Sequence, residues 1–506
     1  MSDLRNQPPR RRPEVIPAVR PFSNFEFIES RFPDCKPLQR ILSLARLAQF
    51  STIVMEEIDS VGISKEDDSD LVALGVGLSL TPLYRLSFFS ARLLSVEDIN
   101  KVDPQMYLGY AILKSIPVPG VGFRWIVFES VTMAGRHDNN YCRVGKLYEV
   151  LCSVRKFRIF GTIYCQQNAL SNVCAHVALR TCIAAASEKM DDIGYGQLNE
   201  ILRSGGMPHA LTQGLSDVQI RFVFDHLGLK YTLNAYDVKT GKGKIPFQKY
   251  LYGSIESGFP ALLGLDTGTS AHIIPVLGHT FNEDTWVPNA ETSYFKISDE
   301  IKYVPSETWV STYICHDDNF GPHYCLPRHY LSEQNKILVV GLNSPYVRFD
   351  SIEAEVIAIE CLNKIINGIS VSVRENIWLR RLRESVMVQR GWVVLRPILL
   401  TGDAYIKHLE AISSWEGQKI KEDVAGKFKA VLTGRYWVVE ISLPELFPAN
   451  KRKLGEIVLD AQQEVAASCM FARLPGELIL PSADENQQAF LVRIPTGIDS
   501  HTELLQ

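Results

Sequence analysis

Apolar residues fall first at helical spacing and then in an unbroken run within "KPLQRILSLARLAQFSTIVMEEID". Leu38, Ile41, Leu42 and Phe50 mark one face of a predicted helix, and the β-branched "STIVM" predicts a strand after it. Strand-like segments follow at "LYRLSFFSARLL", "YLGYAIL" and "FRWIVFESV", separated by turns such as "SIPVPGVG". Residues 22–150 therefore read as an α/β or α+β N-terminal domain. From 151 the pattern changes. "KFRIFGTIYC" is extended, an amide-rich loop follows, and a helix is predicted from Asn172 to Met190. "GYGQLNEILRSGG" predicts a short helix ending at glycines, and "LSDVQIRFVFDHLG" another, with Ser216 and Gln219 at capping-box spacing and Gly228 as the stop.

Further on, "LKYTLNAYD" predicts a strand, "PFQKYLYGSIESG" a helix, and "FPALLGLD", "SAHIIPVLGHTF" and "TWVSTYICHDDNFGPHYCLP" strands. Helices first and strands later predict helices packed on an antiparallel sheet over 151–335. The remainder, 336–506, offers helices at "SIEAEVIAIECLNKIING" and "ENIWLRRLRES" and strands at "WVVLRPILL", "FKAVLTG" and "YWVVEISL". It reads as a third α+β region and carries no catalytic motif. The fold class expected is multidomain α+β.

Length and charge narrow the functions. A chain of 506 residues is too long for one ordinary core. A net charge of -4 gives no reason to expect nucleic acid or an acidic membrane as partner. The single basic cluster, "PPRRRPEVIPAVRP", is Pro-rich without a helical apolar face, so 1–21 reads as a disordered tail. No apolar run approaches the ~20 residues that span a bilayer, and no N-terminal segment is suited to export. The cytoplasm is the expected location, and the 10 cysteines are expected as thiols. They are scattered without a CxxC pair, so a structural zinc site is not expected.

The candidate chemistry starts at "QQNALSNVCAH". A thiol attacks only as thiolate, and a helix N-terminus or a neighbouring imidazolium lowers its pKa. If Asn172 caps the helix, Cys174 stands in the first turn, and Gln167 or Gln166 can offer a side-chain amide to a developing oxyanion. The competing reading makes "VCAHVAL" an ordinary core helix around a buried cysteine. His272, opening the apolar strand "HIIPVLG", can point its ring out of a sheet end toward a helix N-terminus docked there. His176 lies about 200° around the helix from Cys174 and is not expected to be its base.

These elements in this order resemble the papain-like cysteine peptidases, most closely the branch around bacterial double-glycine leader peptidases. "YLGYAIL" followed by "VGFRWIVFE" also resembles bacterial proteins with such a domain. The resemblance covers residues 160–330, about a third of the chain. It implies Cys174 as nucleophile, His272 as general base and acid, and Gln167 as oxyanion donor beside the Cys174 backbone N–H. The family commonly has six residues from glutamine to cysteine; Gln167 stands seven and Gln166 eight before Cys174, which keeps Gln166 as the alternative donor. Asp317 is the implied third member, at the end of the strand in "STYICHDDNFGP", with Asn289 in "TWVPNAE" as its alternative. On the Asp317 reading, 280–308 is an insertion able to shape substrate access. Ala175 replaces the family's frequent glycine after the cysteine.

The implied reaction is acyl transfer to sulfur and then to water, on a protein or peptide substrate and without a cofactor. A transglutaminase-like acyltransferase would use the same triad. A catalytically silent binding or scaffold protein would keep the fold alone. The flanking domains are expected to select or gate the substrate or to hold a partner protein. Cys315, His316, Asp317, Asp318, His323 and Cys325 form a cluster of metal-ligand types, but their spacing matches no standard zinc pattern, and no metal is expected there.

Overall fold

A computed structural model describes residues 4–505, apart from 20–22, 74, 76–81, 119, 121, 134–139, 169–173, 187–191, 208–213, 236–244, 267, 269–270, 282–302, 329–335, 369–375, 390–391, 448–449 and 481–491. The architecture is mixed α+β, with several antiparallel sheets. The chain divides into two compact units, each built from three stretches. Met1–Lys242, Phe259–Gly278 and Tyr313–Leu342 make the first; Gly243–Gly258, His279–Thr312 and Asn343–Gln506 make the second.

This division corrects the expected domains. The boundary at 150 falls inside the first unit. The boundary at 335 cuts off the strand Lys336–Asn343, which pairs antiparallel with Ala261–Asp266. Strand partners far apart in sequence leave no mark in local composition, which is why both boundaries were misplaced. The helix Phe247–Glu256, expected in the central domain, belongs to the second unit.

The tail is also corrected. Glu14–Pro17 is the edge strand of a five-stranded sheet, paired with Thr52–Ile58. The backbone carbonyls of Arg5 and Gln7 accept from Arg85 at 2.8 and 3.0 Å. The arginines of this run stay exposed but pair with carboxylates, Arg10 at 3.3 Å from Asp59 and Arg12 at 3.2 Å from Glu97.

In the first unit this sheet is an antiparallel meander that continues through Leu83–Phe89, Tyr107–Val118 and Gly122–Thr132. The predicted helix is present as Lys36–Leu47, and Leu38, Ile41 and Leu42 pack with Phe88, Leu113 and Val127. The unit's second sheet runs in the order Gly321–Pro327, Val310–Asp317, Ala271–Phe281, Ala261–Asp266, Lys336–Asn343, Lys230–Ala235. The helix Cys174–Ala186 lies on it, with Ala178, Leu179, Cys182 and Ile183 against Leu262, Ile273, Leu338 and Val340. Each large aliphatic side chain buried there contributes roughly 1.5–3 kcal/mol. Val177 and Ala184 pack on the other side, in the cluster holding Val131 and Phe157.

Apolar packing alone would let this helix slide or turn. Polar bonds fix it: Arg180 donates to Glu129 at 2.6 Å and to Asp192 at 2.8 and 3.0 Å, and Thr181 donates to the Ile163 carbonyl at 3.1 Å. The position of Cys174, less than two turns earlier, follows from that anchorage.

The second unit has a seven-stranded sheet from Val304–Pro305 through Val394–Thr401, Arg435–Ser442, Gly455–Asp460, Cys469–Leu474 and Glu477–Leu480 to Val492–Pro495. The two longest predicted helices of this region are present as Ser351–Gly368 and Ile377–Glu384. "FKAVLTG" is not a strand. It ends the helix Glu422–Val431, whose buried positions are Val424, Ala425 and Phe428. Starting the segment at Phe428 had hidden the helical spacing upstream.

Candidate active site

Cys174 opens its helix and is partly exposed. The positive end of the helix dipole acts in this first turn. Asn172, the expected cap, lies outside the described residues, as does Asn289.

His272 is the second residue of the strand Ala271–Phe281, in register opposite Leu265. Alternation along the strand sends its neighbour Ile273 into the cluster under the cysteine helix. The His272 ring lies close enough to Cys174 to feel it electrostatically, and its Nε2 lies 3.4 Å from Asp317 Oδ2 and 3.4 Å from Asp318 Oδ1. Nε2 is the ring nitrogen that faces the carboxylates. At 3.4 Å both carboxylate contacts are longer than a well-formed N–H···O bond, so the attraction is mainly between charges.

The turn after the strand Val310–Asp317 aims both carboxylates. Asp317 Oδ1 accepts from the backbone N–H groups of Asn319 and Phe320 at 2.9 and 3.0 Å, which turns Oδ2 toward the histidine. Gly321 closes the turn at φ +114°, and a Cβ there would come within 2.9 Å of Arg40 Cβ, so glycine is required. Asp318 is buried, and Asn319 Nδ2 donates to its Oδ1 at 3.1 Å.

The charges follow from this surrounding. Burial opposes protonation of His272, but Asp317, Cys174 and Asp318 outweigh it and raise its pKa from 6.5 to about 10. Asp317 is held below its ordinary value despite burial, by His272 and the two backbone donors. Burial and the Asp317 charge push Asp318 up to about 6, against the pull of His272. The two carboxylates beside the ring therefore favour the protonated form of His272.

No protein-family model matches the chain, and no curated protein matches it. The site is therefore read from its own geometry. Among the described residues no helix is long and apolar enough to cross a membrane.

The structure brings Cys174, His272 and Asp317 together. The glutamines separate. Gln166 is buried and fastened to Val127, both by its backbone N–H and by its Oε1 accepting from the Val127 N–H at 2.9 Å. Gln167 is partly exposed and donates to Asn319 Oδ1 at 3.3 Å, which ties it to the turn carrying the carboxylates. His176 is buried 2.9 Å from Asn199 Oδ1, away from the thiol's proton. Of the remaining ligand-type cluster, His316 contacts the Ile163 carbonyl at 3.1 Å and stacks edge-on to His323, and burial holds both rings below their ordinary pKa. Cys315 donates to the Tyr324 carbonyl at 3.3 Å, and Cys325 is exposed. Most of the expected insertion at 280–308 lies outside the described residues.

Sequence reading missed Asp318 and Asn319 as parts of the site. The signal was the doubled acid in "CHDDNFG": strand alternation would send two adjacent side chains to opposite faces, but a turn starting at the first lets both approach one ring.

Proposed function

We propose that the protein is a cysteine-dependent amide or peptide hydrolase with a papain-like catalytic region. The single observation that carries this reading is the His272 ring held between the Cys174 thiol and the Asp317 carboxylate. Cys174 transfers its proton to His272. The sulfur attacks the scissile carbonyl, and His272 returns the proton to the departing amine, leaving a thioester on Cys174. His272 then takes a proton from water, which attacks the thioester, and the carboxylic acid product leaves with the thiol restored. Asp317 keeps the ring oriented and its positive charge stabilised. Gln167, partly exposed and on the same turn network, is the side-chain donor for the oxyanion in this scheme through an Nε2 N–H; Gln166 is buried, with its oxygen held by the Val127 N–H.

The test is a cleavage screen on a proteome-derived peptide library, comparing the native chain with Cys174→Ala. New termini that appear only with the native protein support the hydrolase. Joined amines in place of new termini assign the thioester to an acyltransferase. Identical product sets from both proteins contradict an enzyme and favour a binding role.

A further inference from the structure

Two carboxylates approach one imidazole nitrogen, and hydrogen bonding does not account for the arrangement. Nε2 carries at most one N–H, which can reach Asp317 Oδ2 and Asp318 Oδ1 together only as a bent, weak three-centre contact. Neither contact is a formed hydrogen bond: Nε2 has no hydrogen-bond partner, and neither has the second oxygen of Asp318, a residue only 5% exposed. Two adjacent carboxylates in a buried turn need a positive partner; the protonated His272 ring is one, and a cation bound at Nε2 would be a stronger one.

The distances suit a metal. Zinc holds nitrogen and oxygen ligands about 2.0–2.2 Å away in a tetrahedron, so neighbouring ligand atoms stand about 3.3–3.5 Å apart. The two separations from Nε2 are both 3.4 Å, and the three ligand atoms lie within 4.8 Å of one another. The surrounding groups are those that orient ligands: two backbone N–H groups on the other oxygen of Asp317, and Asn319 Nδ2 on Asp318. The sulfur of Cys174 is not among the clustered ligand atoms.

We propose that His272 Nε2, Asp317 Oδ2 and Asp318 Oδ1 form a site for a divalent zinc-type cation, and that filling it switches the Cys174 nucleophile off. The switch rests on the hydrolase reading above; the metal site does not. A neutral imidazole has one lone-pair nitrogen and one N–H. With the Nε2 lone pair given to the metal, the proton stays on Nδ1, and that nitrogen has no lone pair to accept the thiol's proton. Cys174 then remains a thiol, the form that does not attack. The metal and general-base states of His272 exclude each other.

The experiment uses the full chain, stripped with a chelator and titrated with zinc chloride. Zinc affinity is read by competition with a chromophoric chelator, and Cys174 carboxamidomethylation by iodoacetamide is read by peptide mass spectrometry. The account expects one zinc per chain, at least a tenfold fall in the Cys174 labelling rate, and recovery on adding EDTA. Cys174→Ala is expected to bind zinc as the native chain does, since sulfur is not a ligand. Asp318→Asn is expected to lose at least tenfold in zinc affinity, and its labelling ratio with and without zinc to approach one; circular dichroism confirms its fold, and Asp317→Asn serves as a second variant. Equal zinc affinity in the native chain and both aspartate variants overturns the site. Zinc binding that depends on both aspartates but leaves labelling unchanged overturns the switch. Slow labelling of Cys174 in metal-free protein, together with aspartate-dependent zinc binding, sinks the hydrolase reading and the switch and leaves the metal site standing.

Discussion

Two histidines seven residues apart on one strand each meet a carboxylate, with opposite results. His279, in the second unit, is fully buried with Nε2 2.7 Å from Glu256 Oε1. Glu256 is also gripped by Arg396 at 2.8 and 3.1 Å, so its charge is already balanced. Burial and the arginine outweigh the carboxylate, and His279 stays below its ordinary pKa. His272, in the first unit, meets two carboxylates at longer range, with no arginine or lysine ion-paired to either among the described residues. Its pKa rises to about 10. The closer contact makes a neutral structural histidine, and the looser one a charged histidine available for chemistry. What separates them is first the depth of burial, complete at His279 and partial at His272, and then the arginine that already balances Glu256.

Substitutions can break this contrast. The largest effect is expected from Glu256→Ala, which leaves Arg396 without one of its buried partners and should cost about 3–5 kcal/mol of stability in urea unfolding. Loss of under ~1 kcal/mol would show that the network matters little there. Asp317→Asn retains the oxygen that closes the turn, so the fold should persist while turnover on any substrate found drops by about 10²-fold or more. Unchanged turnover would remove Asp317 from the mechanism.

The smallest effect is in the pH dependence of unfolding of chelator-treated protein. His279 has a depressed folded pKa, so the unfolded chain binds more protons below 6.5, and stability falls as pH drops through that value. His272 is raised, so its contribution is full below 6.5 and is lost as pH climbs toward about 10. His279→Gln should flatten the acid slope and His272→Gln the alkaline one. Parallel changes in both variants would erase the distinction.

Much of the site could be read in advance because its parts are local. Cys174 at a helix start, His272 at a strand start and Asp317 at a strand end each follow from apolar periodicity and its interruption, and Ser216 and Gln219 do form the capping box expected of them. Partnership was not readable. Asp318 joins the site through the geometry of a turn, and Gln166 is buried against Val127, in a different strand. The tail was misread for the same reason: Glu14–Pro17 is ordered by its pairing with Thr52–Ile58, which its own composition does not announce. Lys336–Asn343 joins the central sheet through a partner some seventy positions earlier, so no local signal places it.

The most direct measurement compares iodoacetamide labelling rates of all 10 cysteines at pH 6, in metal-free native protein and in His272→Gln. An unassisted thiol with pKa near 8.5 is under about 1% thiolate at that pH. If His272 takes the Cys174 proton as its base, Cys174 labels on the order of 10²-fold faster than exposed Cys325, and the variant loses that advantage. Equal rates at Cys174 and Cys325, or a Cys174 rate that survives the loss of His272, would contradict the assignment of these two residues as a catalytic pair.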